Sequence, residues 1–284
     1  MTAIMKQHLL LCFTFILFQT SLLKAQEVIE TVAPDRPGYG DAVSIVPLKN
    51  LQVETGFWFE QDKASPLTTS GLGLNSTLFR YGLGKNIELR LDYNIWQSRT
   101  KSSRPRTPEV SETGLFPFRV GMKGALSENQ GWMPSITFIG MLGLPWSATN
   151  NFRPGYLSPD LQLSFANQVT DWLSICYNLG SSWDGDNPNP NNDYALATKF
   201  NFSPKIGAYL QGHGSFQRTS LPAGAVSYTQ RTFAEAGLMY YPKPNIQVDL
   251  SGGIRIRLKM DFLQCNAQLL LCDGRLVVEI SAIA

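Results

Sequence analysis

The chain has 284 residues, of which 43% are hydrophobic and 16% charged, with 24 Lys and Arg against 22 Asp and Glu. So even a balance argues against nucleic-acid binding, which needs a basic face. After Leu23 no apolar run approaches the roughly 18–20 residues of a membrane-spanning helix, which leaves a secreted soluble β protein or an outer-membrane barrel.

Lys6 and His8 precede an apolar run from Leu9 to Phe18 that ends near the small residue Ala25. This predicts a secretory signal over 1–25, cleaved near Ala25. Its loss removes Lys6 and Lys24 and brings the charges to 22 against 22. Three cysteines then remain, Cys176, Cys265 and Cys272, with one histidine, His213. An odd count at irregular spacing makes a poor disulfide framework, and neither a metal centre nor a cofactor is expected.

Residues 26–50 read as an N-terminal periplasmic segment. It carries "APDRPGYGDAVSIVP", in which Asp35 and Arg36 stand between Pro34 and Pro37. The prolines restrict the backbone on either side and lower the entropy lost on docking. We expect the segment to fold into a barrel mouth and offer Arg36 to lumen carboxylates such as Glu54, Glu88 or Asp92.

From residue 51 onward the hydrophobic period is two. In "IELRLDYNIW", Ile87, Leu89, Leu91, Tyr93 and Ile95 fall on one face and Glu88, Arg90, Asp92 and Asn94 on the other. Such alternation marks a strand with one apolar face. Equivalent patterns predict strands at about 51–60, 73–83, 86–96, 116–126, 133–143, 160–167, 172–182, 194–202, 205–216, 230–241 and 245–256, with one more from Arg275. Short connections at 84–86, 127–131, 167–171, 203–205 and 242–245 alternate with longer ones rich in Pro, Asn, Ser and Thr. The expectation is an all-β fold, a transmembrane antiparallel up-and-down barrel of about 12 strands over 51–284, with short periplasmic turns and longer outer loops.

A soluble sandwich also alternates, but charges on its inner face would be costly. Aromatic residues near strand ends, Phe57, Phe59, Tyr81, Tyr93, Trp172, Trp183, Tyr240 and Tyr241, are expected as interface girdles. Glu54, Arg80, Glu88, Arg90, Asp92, Arg119 and Lys123 come from the first four predicted strands and face inward. They can pair across neighbours and knit the wall, or form a mixed-sign solute path. Together with Asp35 and Arg36 they are the lumen and plug candidates.

The segment "PDRPG" followed by "VPLKNLQVETGF" resembles the opening of the outer-membrane proteins of the meta-pathway of phenol degradation, a transporter family. Asp35, Arg36 and Pro37 match its first element, Val46 and Pro47 its second, and Gln52, Glu54 and Gly56 its first strand; "FRYGLGKNIELRLDYN" resembles its second hairpin. Pro34 stands where threonine is usual and Asn50 where glycine is common. The resemblance runs to about residue 256 and implies a passive transporter or channel for small, aromatic or hydrophobic solutes. Partners would be outer-membrane lipid, lipopolysaccharide and the barrel insertion machinery. Residues 257–284 depart from the pattern and end in "RLVVEISAIA" rather than on an aromatic residue, so an altered terminus is expected and closure through the last strand is in question.

Three further readings stand beside this one. A structural or adhesion protein would share the barrel without a conducting lumen. An envelope lipid hydrolase would need "HGS", His213 to Ser215, as a catalytic pair, yet both share parity with Gln211 and Gln217 on the polar face, and no orienting acid for His213 is evident from the sequence. "DGDNPNPNND" holds Asp184, Asp186 and Asp193, but Asn189 stands where a calcium loop of the EF type needs glycine.

Overall fold

The computed structural model describes residues 32–35, 40–128, 131–220, 226–260 and 267–283; the expected leader, its cleavage point and Arg36 lie outside these. Among the described residues thirteen strands follow one another: β1 (Leu51–Ala64), β2 (Leu67–Gly84), β3 (Ile87–Ser102), β4 (Val110–Leu115), β5 (Phe118–Ser127), β6 (Ser135–Leu144), β7 (Ser158–Thr170), β8 (Leu173–Ser182), β9 (Asn191–Ser203), β10 (Ile206–Ser220), β11 (Val226–Lys243), β12 (Ile246–Met260) and β13 (Ala267–Ile283). All their pairings are antiparallel.

One strand position is shared. β5 pairs with β3 along Ile87–Asp92, and β4 pairs with β3 further on, along Ile95–Thr100. β4 and β5 are therefore two lengths of one wall strand, broken at Phe116 and Pro117, where proline supplies no N–H. The wall thus has twelve positions. The turn after β6 bridges the break: Thr149 N donates to Leu115 O at 3.1 Å, Leu115 N to Thr149 Oγ1 at 3.1 Å and Phe118 N to Ser147 Oγ at 2.8 Å.

β1 pairs with both β2 and β13, so the sheet closes on itself and neither terminal strand is left with a free edge. Residues 267–283, whose part in closure was in question, supply this last strand. Four connections at the mouth where the chain enters, 85–86, 171–172, 204–205 and 244–245, are two-residue turns. In one of them Ser203 Oγ accepts from Lys205 N and Ile206 N, so the side chain completes the turn.

Alternation decides what each strand shows to either side. On β1, Leu51, Phe57 and Phe59 point outward and are well exposed, while Gln52 and Glu54 point inward and are fully buried. Among the described residues 19 polar or charged side chains are buried and only 11 apolar ones. That inverts the pattern of a soluble protein. Aromatic residues ring both ends of the apolar exterior: Tyr81, Trp132, Trp172 and Tyr240 near the entry mouth, and Trp146, Tyr156 and Tyr228 near the far one.

Two expected girdle residues face inward instead. Tyr241 shares parity with the buried Met239 and packs against Val32 and Val46. Trp183 lies in the loop after β8, which folds over the far mouth, and its Nε1 donates to Pro188 O at 3.2 Å. The far connections also differ in length from expectation. "QDKASPLTTSG" is almost wholly strand, with only Ser65 and Pro66 between β1 and β2. Its polar side chains find partners across the ladder, as Thr69 Oγ1 does with Thr100 Oγ1 at 3.3 Å.

Candidate functional site

The site begins with a conflict of charge. The β2–β3 register sets Arg80 directly opposite Arg90, a pairing that destabilises a sheet unless anions intervene. Glu88, on β3, takes one side of Arg80: Nε donates to Oε1 at 2.7 Å and Nη2 to Oε2 at 2.9 Å, a bidentate pair. Glu54, on β1, takes Nη1 at 2.9 Å. The β3–β5 register brings Lys123 opposite Glu88. Three wall cations thus face two wall carboxylates, leaving an excess positive charge in a place closed to water.

Asp35 fills that deficit. Its Oδ1 accepts from Lys123 Nζ at 2.6 Å, its Oδ2 accepts from Arg90 Nη1 and lies 3.4 Å from Arg80 Nε, and its side chain is 1% exposed. Burial alone would raise this carboxyl, but Arg80, Lys123 and Arg90 together outweigh it and hold Asp35 well below the usual carboxylate range. The backbone is held as well. Arg80 Nη1 and Nη2 donate to Ala33 O and Ser44 O at 3.2 and 2.8 Å, Lys123 Nζ to Ala42 O at 2.6 Å, and Val46 N to Glu88 Oε2 at 2.8 Å.

Asp41 makes a second anchor across the lumen. Arg90 Nη2 donates to its Oδ1 at 2.9 Å, Gln162 Nε2 to its Oδ2 at 2.8 Å, and Asn178 Nδ2 to its backbone oxygen at 2.9 Å. Burial, which the charge of Asp35 reinforces, raises Asp41 above the ordinary value despite Arg90. Where the segment leaves the lumen, Leu48 bridges to Gly82; a Cβ on Gly82 would lie 2.0 Å from Pro47 O, so only glycine lets the two backbones meet there. Residues 32–35 and 40–50 therefore form a plug in the entry half of the barrel.

Beyond this floor lies a cavity of about 960 Å³ that reaches the far mouth. One side is apolar: Trp58, Leu78, Phe116, Ile139, Met141 and Phe152. Trp58 stacks on Trp96 with centroids 4.3 Å apart, and Phe116 meets Phe152 at 5.0 Å. Eight carboxylates and four guanidinium groups also line it. Arg119 pairs with Asp160 and stands 3.9 Å from Asp92.

Of the residues singled out from the sequence, Asp35, Glu54, Arg80, Glu88, Arg90 and Lys123 meet in one cluster, while Asp92 and Arg119 line the cavity above it. Sequence reasoning missed Asp41, Gln162 and Asn178, which come from the segment and from distant strands. It also missed the inward tryptophans, although Trp58 shares the parity of Glu54 and Trp96 that of Arg90. An acid does stand beside His213: Nε2 lies 3.4 Å from Glu235 Oε2, with Glu235 carried by the neighbouring β11 and also taking Tyr209 Oη at 2.7 Å and Ser251 Oγ at 2.8 Å. Asp184 Oδ1 caps its own loop, accepting from Asp186 N and Asn187 N.

An apolar exterior closed around a charged interior is the architecture of an outer-membrane β-barrel, here with its own amino-terminal plug. The chain belongs to the family described as "Putative MetA-pathway of phenol degradation", whose model matches residues 34–257. No curated protein sequence matches it. Among solved structures the COG4313 outer membrane channel from Pseudomonas putida F1 is similar at 11% identity, with a TM-score of 0.63 over 88% of this chain and 100% of that one. The transport unit of the autotransporter AIDA-I from Escherichia coli gives 8% identity and 0.48 over 82% and 90%, and the NanC porin 10% and 0.46 over 82% and 98%.

Proposed function

We propose that this protein is a passive outer-membrane channel for small aromatic or hydrophobic solutes, exported through the general secretory route, with its short turns in the periplasm and its plug at the periplasmic mouth. The observation that carries the reading is the closed ring around a cavity of about 960 Å³ lined by both apolar and polar side chains. The likeness to the COG4313 outer membrane channel and the family's description support it. Outer-membrane lipid and lipopolysaccharide would surround it, and the barrel insertion machinery would place it. No catalytic role is assigned to His213 or Ser215.

The test is ion conductance in planar bilayers with solute uptake by liposomes, on protein whose heat-modifiable gel migration shows a folded barrel. Conductance and uptake are expected. The seated plug favours a second reading, a sealed structural barrel. If neither the wild type nor Asp35→Ala conducts or admits solute, the sealed barrel is correct and the channel is not.

A further inference from the structure

The cavity above the plug has an aromatic shelf toward its far mouth and a ladder of polar groups beneath it. The β1–β2–β3 register sets Trp58, Gly73 and Trp96 in one cross-strand row, and a Cβ on Gly73 would collide with the Trp58 ring, as one on Gly71 would with the Trp96 ring. β2 thus omits two side chains and so seats two tryptophans. Trp96 backs Trp58 with centroids 4.3 Å apart, and Phe116, 6.5 Å from Trp96 and 5.0 Å from Phe152, carries the shelf on to the turn after β6. Trp58, Phe116 and Phe152 all face the cavity. Below Trp96, on the same inward face of β3, come Asn94, Asp92 and Arg90. Among the described residues Asn94 Oδ1, Asp92 Oδ1 and Arg90 Nε are buried and make no hydrogen bond to the protein. Arg119 and Arg153 add donors around the same cavity. Unfilled groups of both kinds, acceptor and donor, therefore run along about 13 Å of strand, and leaving them unfilled is costly.

We propose that this wall is a binding site for a short chain of pyranose sugars, one ring laid by its C–H face on Trp58 and Phe116 and the hydroxyls of the next engaging Asn94 and Asp92. A hydroxyl both donates and accepts, so one polyhydroxyl chain answers the acceptors and the donors alike. The electron-rich face of an aromatic ring favours the C–H face of a sugar. Rotation about χ2 of Asn94 or Asp92, a broad and nearly two-fold torsion, turns the buried oxygen toward the ligand. The ladder is longer than one sugar ring, which favours a linked chain over a monosaccharide. A solute with a single polar group fills one of these positions and leaves the rest. The inference goes beyond the solute class proposed above, and it requires binding in the cavity rather than passage through the plug.

The experiment is an NMR saturation-transfer titration of the full chain, held in an amine-oxide detergent so that no glycosidic detergent competes, with maltotriose, cellotriose, sorbitol and phenol as probes. At least one trisaccharide is expected to saturate. Sorbitol, which has the hydroxyls of a hexose without a rigid ring face, should bind at least roughly tenfold more weakly. Trp58→Ala should weaken the trisaccharide roughly three- to tenfold, the scale of an aromatic contact, and Asn94→Leu by a similar factor, the scale of one hydrogen bond. Asn94→Leu carries the test if Trp58→Ala loses its heat-modifiable migration. Saturation by neither trisaccharide, sorbitol binding as tightly as both, or unchanged affinity in Asn94→Leu overturns the proposal. Saturation by phenol alone also overturns it and leaves the aromatic solute reading in place. Conductance separates the two readings. A conducting barrel that binds no trisaccharide loses the sugar site and keeps the channel, whereas trisaccharide binding without conductance keeps the site and loses the channel.

Discussion

Asp35 and Lys123 meet inside the barrel 88 residues apart in sequence, Oδ1 to Nζ at 2.6 Å, and both side chains are withdrawn from water. Each is the other's answer to burial. Removing one partner of such a pair leaves an uncompensated buried charge, a loss of about 3–5 kcal/mol. Asp35→Asn is therefore expected to unseat the plug. Limited proteolysis within residues 40–50 should accelerate, and in bilayers the conductance should rise. Wild-type cleavage rates in that variant would show that Asp35 does not hold the segment.

Arg80 is the more consequential residue for the barrel itself, because it joins Glu54 on β1 to Glu88 on β3 and holds two backbone oxygens of the plug. Arg80→Met removes the buried cation that both carboxylates share, at an expected cost of about 3–5 kcal/mol. The gel shift that marks unfolding should then occur at a distinctly lower temperature. Arg80→Lys should not rescue it, since an ammonium cannot replace a bidentate fork.

Gly82→Ala tests the plug without touching a charge. The added methyl would collide with Pro47 O and Val46 O, both backbone atoms. Overpacking of this kind costs about 1–3 kcal/mol. Protease protection of residues 46–50 is expected to fall while the barrel's heat-modifiable migration stays put.

Acidity acts on the two anchors with opposite signs. Asp35 has a lowered value when seated, so its contribution is complete above about pH 4, the ordinary carboxylate value, and fades only as pH falls through the lower seated value. Asp41 has a raised value when seated; its contribution is complete below about pH 4 and is lost as pH rises through that seated value. Between pH 7 and 5 the plug should therefore hold or tighten, with release confined to more strongly acid solution. Proteolysis of residues 40–50 that accelerates from pH 7 to 5 would contradict this.

The barrel was legible because period two survives in "LQVETGFWFE", "IELRLDYNIW" and "IQVDLSGGIRI", and because turn residues recur at one end only. β4 was not, since "VSETGL" carries no alternation and exists as strand by pairing with β3. The inner charges were visible by parity, but their assignment was not. Arg36 looked like the residue to dock, given Glu54, Glu88 and Asp92 inside. Arg36 lies outside the described residues; among those described, register sets Arg80 against Arg90 and leaves the wall short of an anion, which Asp35 supplies. Which charges remain unpaired depends on how neighbouring strands align, and alternation within a strand is silent on that.

The charged partners of Asp35 and Asp41 lie on β2, β3 and β5, and the amides that also hold Asp41 lie on β7 and β8. The final joint of the wall, by contrast, waits for β13 to meet β1. The side chains that grip the cork's two carboxylates thus come from the first seven of the twelve staves, and the last five, β9–β13, complete the vessel around them.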